Sequence, residues 1–493
     1  MHEKRYYYNM MVLSQRMRLP LTIAGVFLVT IVIGLFTTSS GSRVTSFISS
    51  PFKAANPRFH LLLPATASNV NFCKLLLSAA VTGYPNPILL GWEGYGQYNG
   101  SESHLFKISE TLTYLNRLPP SADEDLVLIL DAYDIWLQLP PDVLIERYYA
   151  ALDKGNARLR AEGTYGVEHG GAEIKQSILF GPDKTCWPDD ERRAACWAVP
   201  ESTLPSDAFG PGTDTWVVPN RPRWLNSGTI MGPAKDMRAM FNATMSVLRR
   251  KFNEDYVFKT SDQFYFQEMW TEQEIGRLEL KNGTLEAPKV KDDVYGIIPS
   301  IPEGIRTEFH VAIDYDSDAF QTSAYYTEYI TWMSFNHTTT SVGQERGTVR
   351  RMDQMVLTED VLRSRHPFAI TKADKSVPAG TSWTDMMLGT NAITQQAFPL
   401  LHITNEKVQR VSWWPNMWFH PHAKALFEAA KDSAAKSTLD TKIVAEVRGT
   451  SFVGAKGWAN DSSKGDSLGV WTDRSTFLPW NDVCSGYHKD LFL

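Results

Sequence analysis

Short, wholly apolar runs alternate along this chain with stretches whose apolar residues recur every three or four positions. "FHLLLPATA", starting at Phe59, reads as a buried strand that ends in a loop. In "NVNFCKLLLSAAVTGYP", Phe72, Leu75, Leu76 and Ala79 fall at i, i+3, i+4 and i+7; asparagines precede the run, and Gly83 and Pro85 follow it. That spacing with those flanks predicts an amphipathic helix with its start and stop. "NPILLGW" is a second short strand, and Leu105, Ile108, Leu112 and Leu115 line one side of a second helix. "DLVLILD" is apolar throughout, as expected of a strand covered on both sheet faces, and "PPDVLIERYYAAL" opens a helix with prolines where they are tolerated. Strand and helix alternate three times, which predicts an α/β domain around a mostly parallel sheet.

Ligands in such sheets bind beyond the carboxyl ends of the strands. Asp131 and Asp134, in "VLILDAYDIWLQL", sit at that end. Positions three apart on a continued strand would face opposite ways, so a turn at Ala132 is needed to bring the two carboxylates together. Either aspartate could cap a helix or close a turn; held side by side, they make a cation site. Three later segments also carry chemistry. "KQSILFGPDKTCWPDD" is an apolar strand running into Asp183. "RPRWLNSGTIMGPAKDM" sets Asn226, Ser227 and Gly228 within apolar sequence, read as a turn whose amides and small polar side chains approach a ligand, with Gly228 permitting that approach. "TSDQFYFQEMW" puts Asp262 and Gln263 at a helix start, where an acid is stabilising in its own right.

Composition narrows the class. The 493 residues are 43% hydrophobic and 21% charged, ordinary globular proportions. The net charge of -6 offers no basic field to track phosphates, which argues against a nucleic-acid partner. Leu19 to Thr38 is an uncharged apolar stretch of 20 residues, preceded by Lys4, Arg5, Arg16 and Arg18 and followed closely only by Arg43. At 1.5 Å per residue it would span roughly 30 Å, and the charge bias puts the N-terminus in the cytosol: a type II signal anchor rather than a cleaved signal peptide. The expected organisation is a cytosolic tail (1–18), an anchor (19–38), a stem (39–58), a catalytic domain (59–430) and a C-terminal extension (431–493). In that extension Lys431 to Gly469, rich in Ala, Ser, Lys and Gly, is expected to be loosely ordered in part, and the final segment to pack back on the domain. Four cysteines permit two disulfides in an oxidising compartment, with Cys186 and Cys196 the easiest pair. Sequons at Asn99, Asn242, Asn282, Asn336 and Asn460 all lie beyond the anchor.

In this order, "LLLPATASNVNFCKLLLSA", "SHLFKISETLTYL", "LVLILDAYDIWLQ", "ILFGPDKTCWPDD", "RWLNSGTIMGPA", "SDQFYFQEMW", "VAIDYDSDAFQ" and "LLHITNEKVQRVSWW" resemble the glycosyltransferase domain of the multifunctional procollagen lysyl hydroxylases and, more loosely, the procollagen galactosyltransferases. The resemblance implies a GT-A fold, a Rossmann-like nucleotide-sugar-binding domain with a mixed, mostly parallel sheet flanked by helices. It implies metal ligands at Asp131, Asp134 and His402, with Mn²⁺ or Mg²⁺ as the ion. It implies that Lys107 contacts phosphate or nucleotide, that Tyr133 lies beside base or ribose, and that Lys407 closes over the phosphates. Asp183, Asn226, Asp262 and Gln263 fall on the sugar and acceptor side, with Asp183 and Asp262 both eligible as the catalytic carboxylate. The implied protein is a type II membrane glycosyltransferase of the Golgi or endoplasmic reticulum, moving a sugar from a UDP-sugar to a protein or glycan acceptor. No hydroxylase domain follows, so lysyl hydroxylation is not implied; the insertion around Thr338 to Arg350 and the C-terminal extension have no family counterpart, so a collagen acceptor is not implied either. A catalytically inactive domain of this fold, binding glycans or proteins, is the competing reading.

Overall fold

A computed structural model describes residues 56–95, 104–336, 355–371, 380–404, 407–436, 442–460 and 468–492. The tail, the anchor and nearly all of the stem lie outside these residues, as do Asn99 and residues 338–350. Among the described residues no helix is long and apolar enough to cross a membrane.

The elements that position the site are, in chain order, β1 (Arg58–Pro64), α1 (Val70–Thr82), β2 (Ile88–Leu90), α2 (Phe106–Arg117), β3 (Leu126–Leu130), β4 (Ile135–Leu137), α3 (Pro141–Ala161), β5 (Ile178–Asp183), β6 (Trp224–Pro233), α4 (Ala234–Lys251), α5 (Asp262–Asn282), β7 (Val311–Ile313), β8 (Gln321–Thr322), β9 (Leu400–His402), α6 (Ala423–Lys436), β10 (Ile443–Val447), β11 (Thr450–Gly454), β12 (Gly469–Thr472), β13 (Phe477–Pro479) and α7 (Trp480–Cys484). The predicted helix at Phe72 forms for the expected local reasons. Asn69 accepts from the amides of Asn71 and Phe72, both at 2.9 Å, and Gly83 ends the helix at φ 86, a left-handed conformation glycine adopts without a Cβ clash.

A 10-stranded sheet runs β7-β5-β6-β3-β1-β2-β12-β13, with β11 beside the first half of β1 and β10 beside β11. β1 is parallel to β2, β3 and β11, while β6 runs antiparallel between β3 and β5. The sheet is therefore mixed and mostly parallel, in a Rossmann-like α/β layering. Side chains two apart on β3 enter the same core. Leu128 and Leu130 pack with α1 and α3, whereas Val127 and Ile129 pack with α2, α4 and α5. Both faces are thus covered, which is why the strand is apolar at every position. Truncating one such leucine to alanine would cost about 2–5 kcal/mol.

Two expectations are corrected. Asn226 to Gly228 is not a turn but part of β6, where pairing with β5 jumps from Phe180–Ile230 to Gly181–Asn226 and the strand bulges. The C-terminal extension is not an appendage: β10 to β13 are strands of the central sheet itself. Within Lys431 to Gly469, β10 and β11 are ordered strands that satisfy the backbone groups the edges of β1 and β11 would otherwise leave open, while residues 437–441 and 461–467 lie outside the described residues. The final segment does pack back, with Cys73 of α1 joined to Cys484 of α7, and Cys186 is joined to Cys196.

Candidate active site

A cleft of about 610 Å³ opens at the carboxyl ends of β3 and β5. β3 stops at Leu130, the chain turns through Ala132 and Tyr133, and β4 begins at Ile135. That turn brings Asp131 and Asp134 to one side, as the spacing required. β4 then pairs antiparallel with β9, register His402 to Ile135, and the Ile403 amide donates to the Asp134 carbonyl at 2.7 Å. A small three-stranded sheet, β8-β9-β4, thereby carries a histidine from far along the chain to the aspartate pair.

His402 is 3% exposed, with Nε2 at 3.4 Å from Asp134 Oδ1 and 3.9 Å from Asp131 Oδ2. One ligand atom from each of these three residues lies within 4.8 Å of the others. Two further observations fit a cation there. Asp134 Oδ1 and His402 Nδ1 are buried without a hydrogen-bond partner, although burying such groups unpaired is costly. A Cβ on Gly228 would lie 2.0 Å from His402 Cε1 and 2.8 Å from Asp131 Oδ2, so only glycine leaves this space open. Two carboxylates and one imidazole suit Mn²⁺, with Mg²⁺ next. Burial pushes the Asp134 carboxyl up, but His402, Arg410 and Lys107 outweigh it and hold the group below its ordinary range.

Lys107 is buried in the floor. Its ammonium lies 2.7 Å from Asp131 Oδ1, 2.6 Å from Asp262 Oδ2 and 3.0 Å from the Ser227 carbonyl. A lysine has three donors, and these partners engage all of them. Burial alone would discharge the amine, but Asp131 and Asp262 hold it firmly protonated. Lys107 is thus an internal bridge between two carboxylates in the wall of the cleft. Ser227 Oγ adds a 3.0 Å bond to the same Asp262 oxygen that meets Lys107.

Asp183 differs. It accepts from its neighbour's amide, Lys184, at 2.9 Å and from Asn226 at a long 3.4 Å, with Gln263 also alongside, and burial raises its carboxyl to about 6. Asn226 Oδ1 takes the Gly228 amide at 2.9 Å, and Gln263 Oε1 lies 3.4 Å from the Ser227 amide. Tyr133 lines the cleft, but its hydroxyl is occupied by the loop after β1, accepting from Thr66 and Ala67 and donating to the Ala67 carbonyl. Asp131, Asp134, Asp183, Asn226, Ser227, Gly228, Asp262, Gln263, Lys107, Tyr133 and His402 therefore share one cleft. Lys407 does not join them: it is exposed, outside the cleft lining. From the same segment Arg410 does reach the site, with Nη2 at 3.2 Å from Asp134 Oδ2. No sequence signal marked it, because its role depends on how the chain bends after β9.

No protein-family model and no curated protein matches the chain. Among solved structures, the Francisella tularensis 2-C-methyl-D-erythritol 4-phosphate cytidylyltransferase is similar at 13% identity over 43% of this chain and 86% of that one, with a TM-score of 0.20. At that score the likeness carries no argument.

Proposed function

We propose that this chain is a divalent-metal-dependent glycosyltransferase that moves a sugar from a UDP-sugar to a hydroxyl of a protein or glycan acceptor. The observation that carries the reading is the convergence of Asp131, Asp134 and His402 around buried, unpartnered ligand atoms, in the same cleft as a carboxyl raised to about 6. A bound Mn²⁺ or Mg²⁺ would neutralise the charge that develops on the departing diphosphate.

The protein's own groups divide the remaining work. Asp131, Asp134 and His402 would hold the cation. Lys107 keeps Asp131 and Asp262 in place against their mutual repulsion. Between the two eligible carboxylates, Asp183 is the better proton acceptor. A group titrating near 6 is ionised at neutral pH yet basic enough to take the acceptor's proton, whereas the Asp262 oxygen Oδ2 is already engaged by the Lys107 ammonium and the Ser227 hydroxyl. Asn226 and Gln263 orient Asp183 and are within the same wall for sugar hydroxyls. A single span at Leu19–Thr38 would hold this domain in the lumen of the Golgi or endoplasmic reticulum, and the two disulfides support an oxidising compartment.

The test is UDP release by the full chain from a panel of UDP-sugars, with Mn²⁺ and with chelator. Mn²⁺ should stimulate turnover, and the double variant Asp131→Asn, Asp134→Asn should lose at least about 100-fold while melting as the parent does. Normal metal-stimulated turnover in that variant would show the pair to be structural, and a folded parent that releases no UDP from any donor would favour the inactive, glycan-binding domain.

A further inference from the structure

Charge is unevenly arranged around the cation site. Asp131, Asp134 and Asp262 face two fixed cations, Lys107 and Arg410. With a neutral imidazole at His402, as ligation requires, the cluster carries one surplus negative charge. A divalent ion arriving alone overshoots that surplus. A nucleoside diphosphate arriving with it offsets that positive excess and returns the cluster to a net negative charge.

Arg410 is the member of this set with the least settled contacts. Its backbone carbonyl is fixed by the Lys74 ammonium at 2.5 Å, and Lys74 in turn lies against the Trp136 and Trp414 rings. The guanidinium beyond that anchor is lightly held: Nη2 reaches Asp134 Oδ2 at 3.2 Å and the Ile403 carbonyl at 3.4 Å, while Nε is buried without a partner. It occupies the outer oxygen of Asp134; the inner oxygen faces His402. Arginine stays charged at any working pH, so this cation cannot step aside by losing a proton.

We infer that Arg410 makes cation binding depend on the nucleotide: it shares the charge of Asp134 and disfavours a lone divalent ion, which binds tightly only together with a diphosphate. The inference rests on the glycosyltransferase reading and assigns Arg410 a positioning and charge-balancing role behind the ligands. It explains a basic side chain spent on a metal ligand, an arrangement that weakens a site meant to hold its ion permanently.

Electron paramagnetic resonance of free Mn²⁺, titrated into the full chain with and without UDP, tests this without reference to turnover. The parent should bind Mn²⁺ weakly alone and much more tightly with UDP. Arg410→Gln, which keeps a donor for Asp134 but removes the charge, should tighten Mn²⁺ binding alone by about tenfold and shrink the gain from UDP by the same factor. Arg410→Lys should behave as the parent. Unchanged or weaker Mn²⁺ binding in Arg410→Gln, or a lysine variant that matches the glutamine one, would overturn the inference. An arm on the parent alone guards against a variant that fails to fold: uridine, lacking phosphates, must not raise Mn²⁺ affinity, and if it does so as well as UDP the charge argument is wrong. A parent that binds no Mn²⁺ even with UDP would overturn the glycosyltransferase reading itself, and this inference with it.

Discussion

Two buried charge clusters in this protein carry the same surplus and do opposite things. On α5, Arg277 meets both oxygens of Glu308 at 2.8 and 2.9 Å and Glu274 at 3.0 Å. That is one cation for two carboxylates, yet nothing in the trio is left over. Glu274 also takes the Gln273 amide and the Trp270 indole, and Glu308 takes the His310 amide at 2.7 Å. At the cleft, three carboxylates meet two cations, and Asp134 Oδ1, His402 Nδ1 and Arg410 Nε remain without partners. Excess negative charge is therefore a poor marker of a site. What separates the two is whether neutral donors have absorbed the excess or whether it faces open space.

The comparison can be broken from either side. The largest effect is expected at the closed cluster. Arg277→Met leaves Glu308 and Glu274 buried and uncompensated, and should cost about 3–5 kcal/mol in urea unfolding while leaving Mn²⁺ binding with UDP unchanged. A shift in metal affinity would mean that the clusters are coupled through α5.

Asp183 comes next. Its folded carboxyl is raised from 3.8 to about 6, so the folded state favours the proton. Stability should fall as pH climbs from about 4 to about 6 and then level off, by an amount on the order of 2–3 kcal/mol. The transfer rate should rise over the upper part of that window as the base ionises. Asp183→Asn should remove both slopes, seen in pH series of melting and of turnover. A rate profile that keeps its rise would pass the role of base to Asp262.

The smallest effect is steric. Gly228→Ala pushes a methyl group against His402 and Asp131 and should weaken Mn²⁺ binding by about tenfold without altering the pH profile. Unaltered affinity would show that His402 is not a ligand.

What the sequence disclosed follows how local each cause is. β1, α1 and β3 were readable because their apolar spacing and the caps at Asn69 and Gly83 act within a few residues. The pairing of Asp131 with Asp134 was readable because one turn suffices, and His402 through the resemblance. The bulge at Ser227 and Gly228 was not, since only the register against β5 and β3 distinguishes it from a turn. The bridge from Lys107 to Asp262 was not readable either, because Asp262 arrives from another helix. The strands of the extension hid behind an Ala- and Ser-rich composition; β10 and β11 exist because β1 leaves an edge to be paired, a demand made by distant chain.

The last of these has a consequence for biosynthesis. β12 lies beside β2, and Cys484 closes on Cys73 across 411 residues. A nascent chain that has already produced both aspartates and His402 still lacks the strands that cover β1 and β2. Those edges wait, unpaired and sticky, until β11 and β12 have left the ribosome. Completion of the central sheet thus waits on β10 to β13, and the residues least concerned with chemistry decide when it happens.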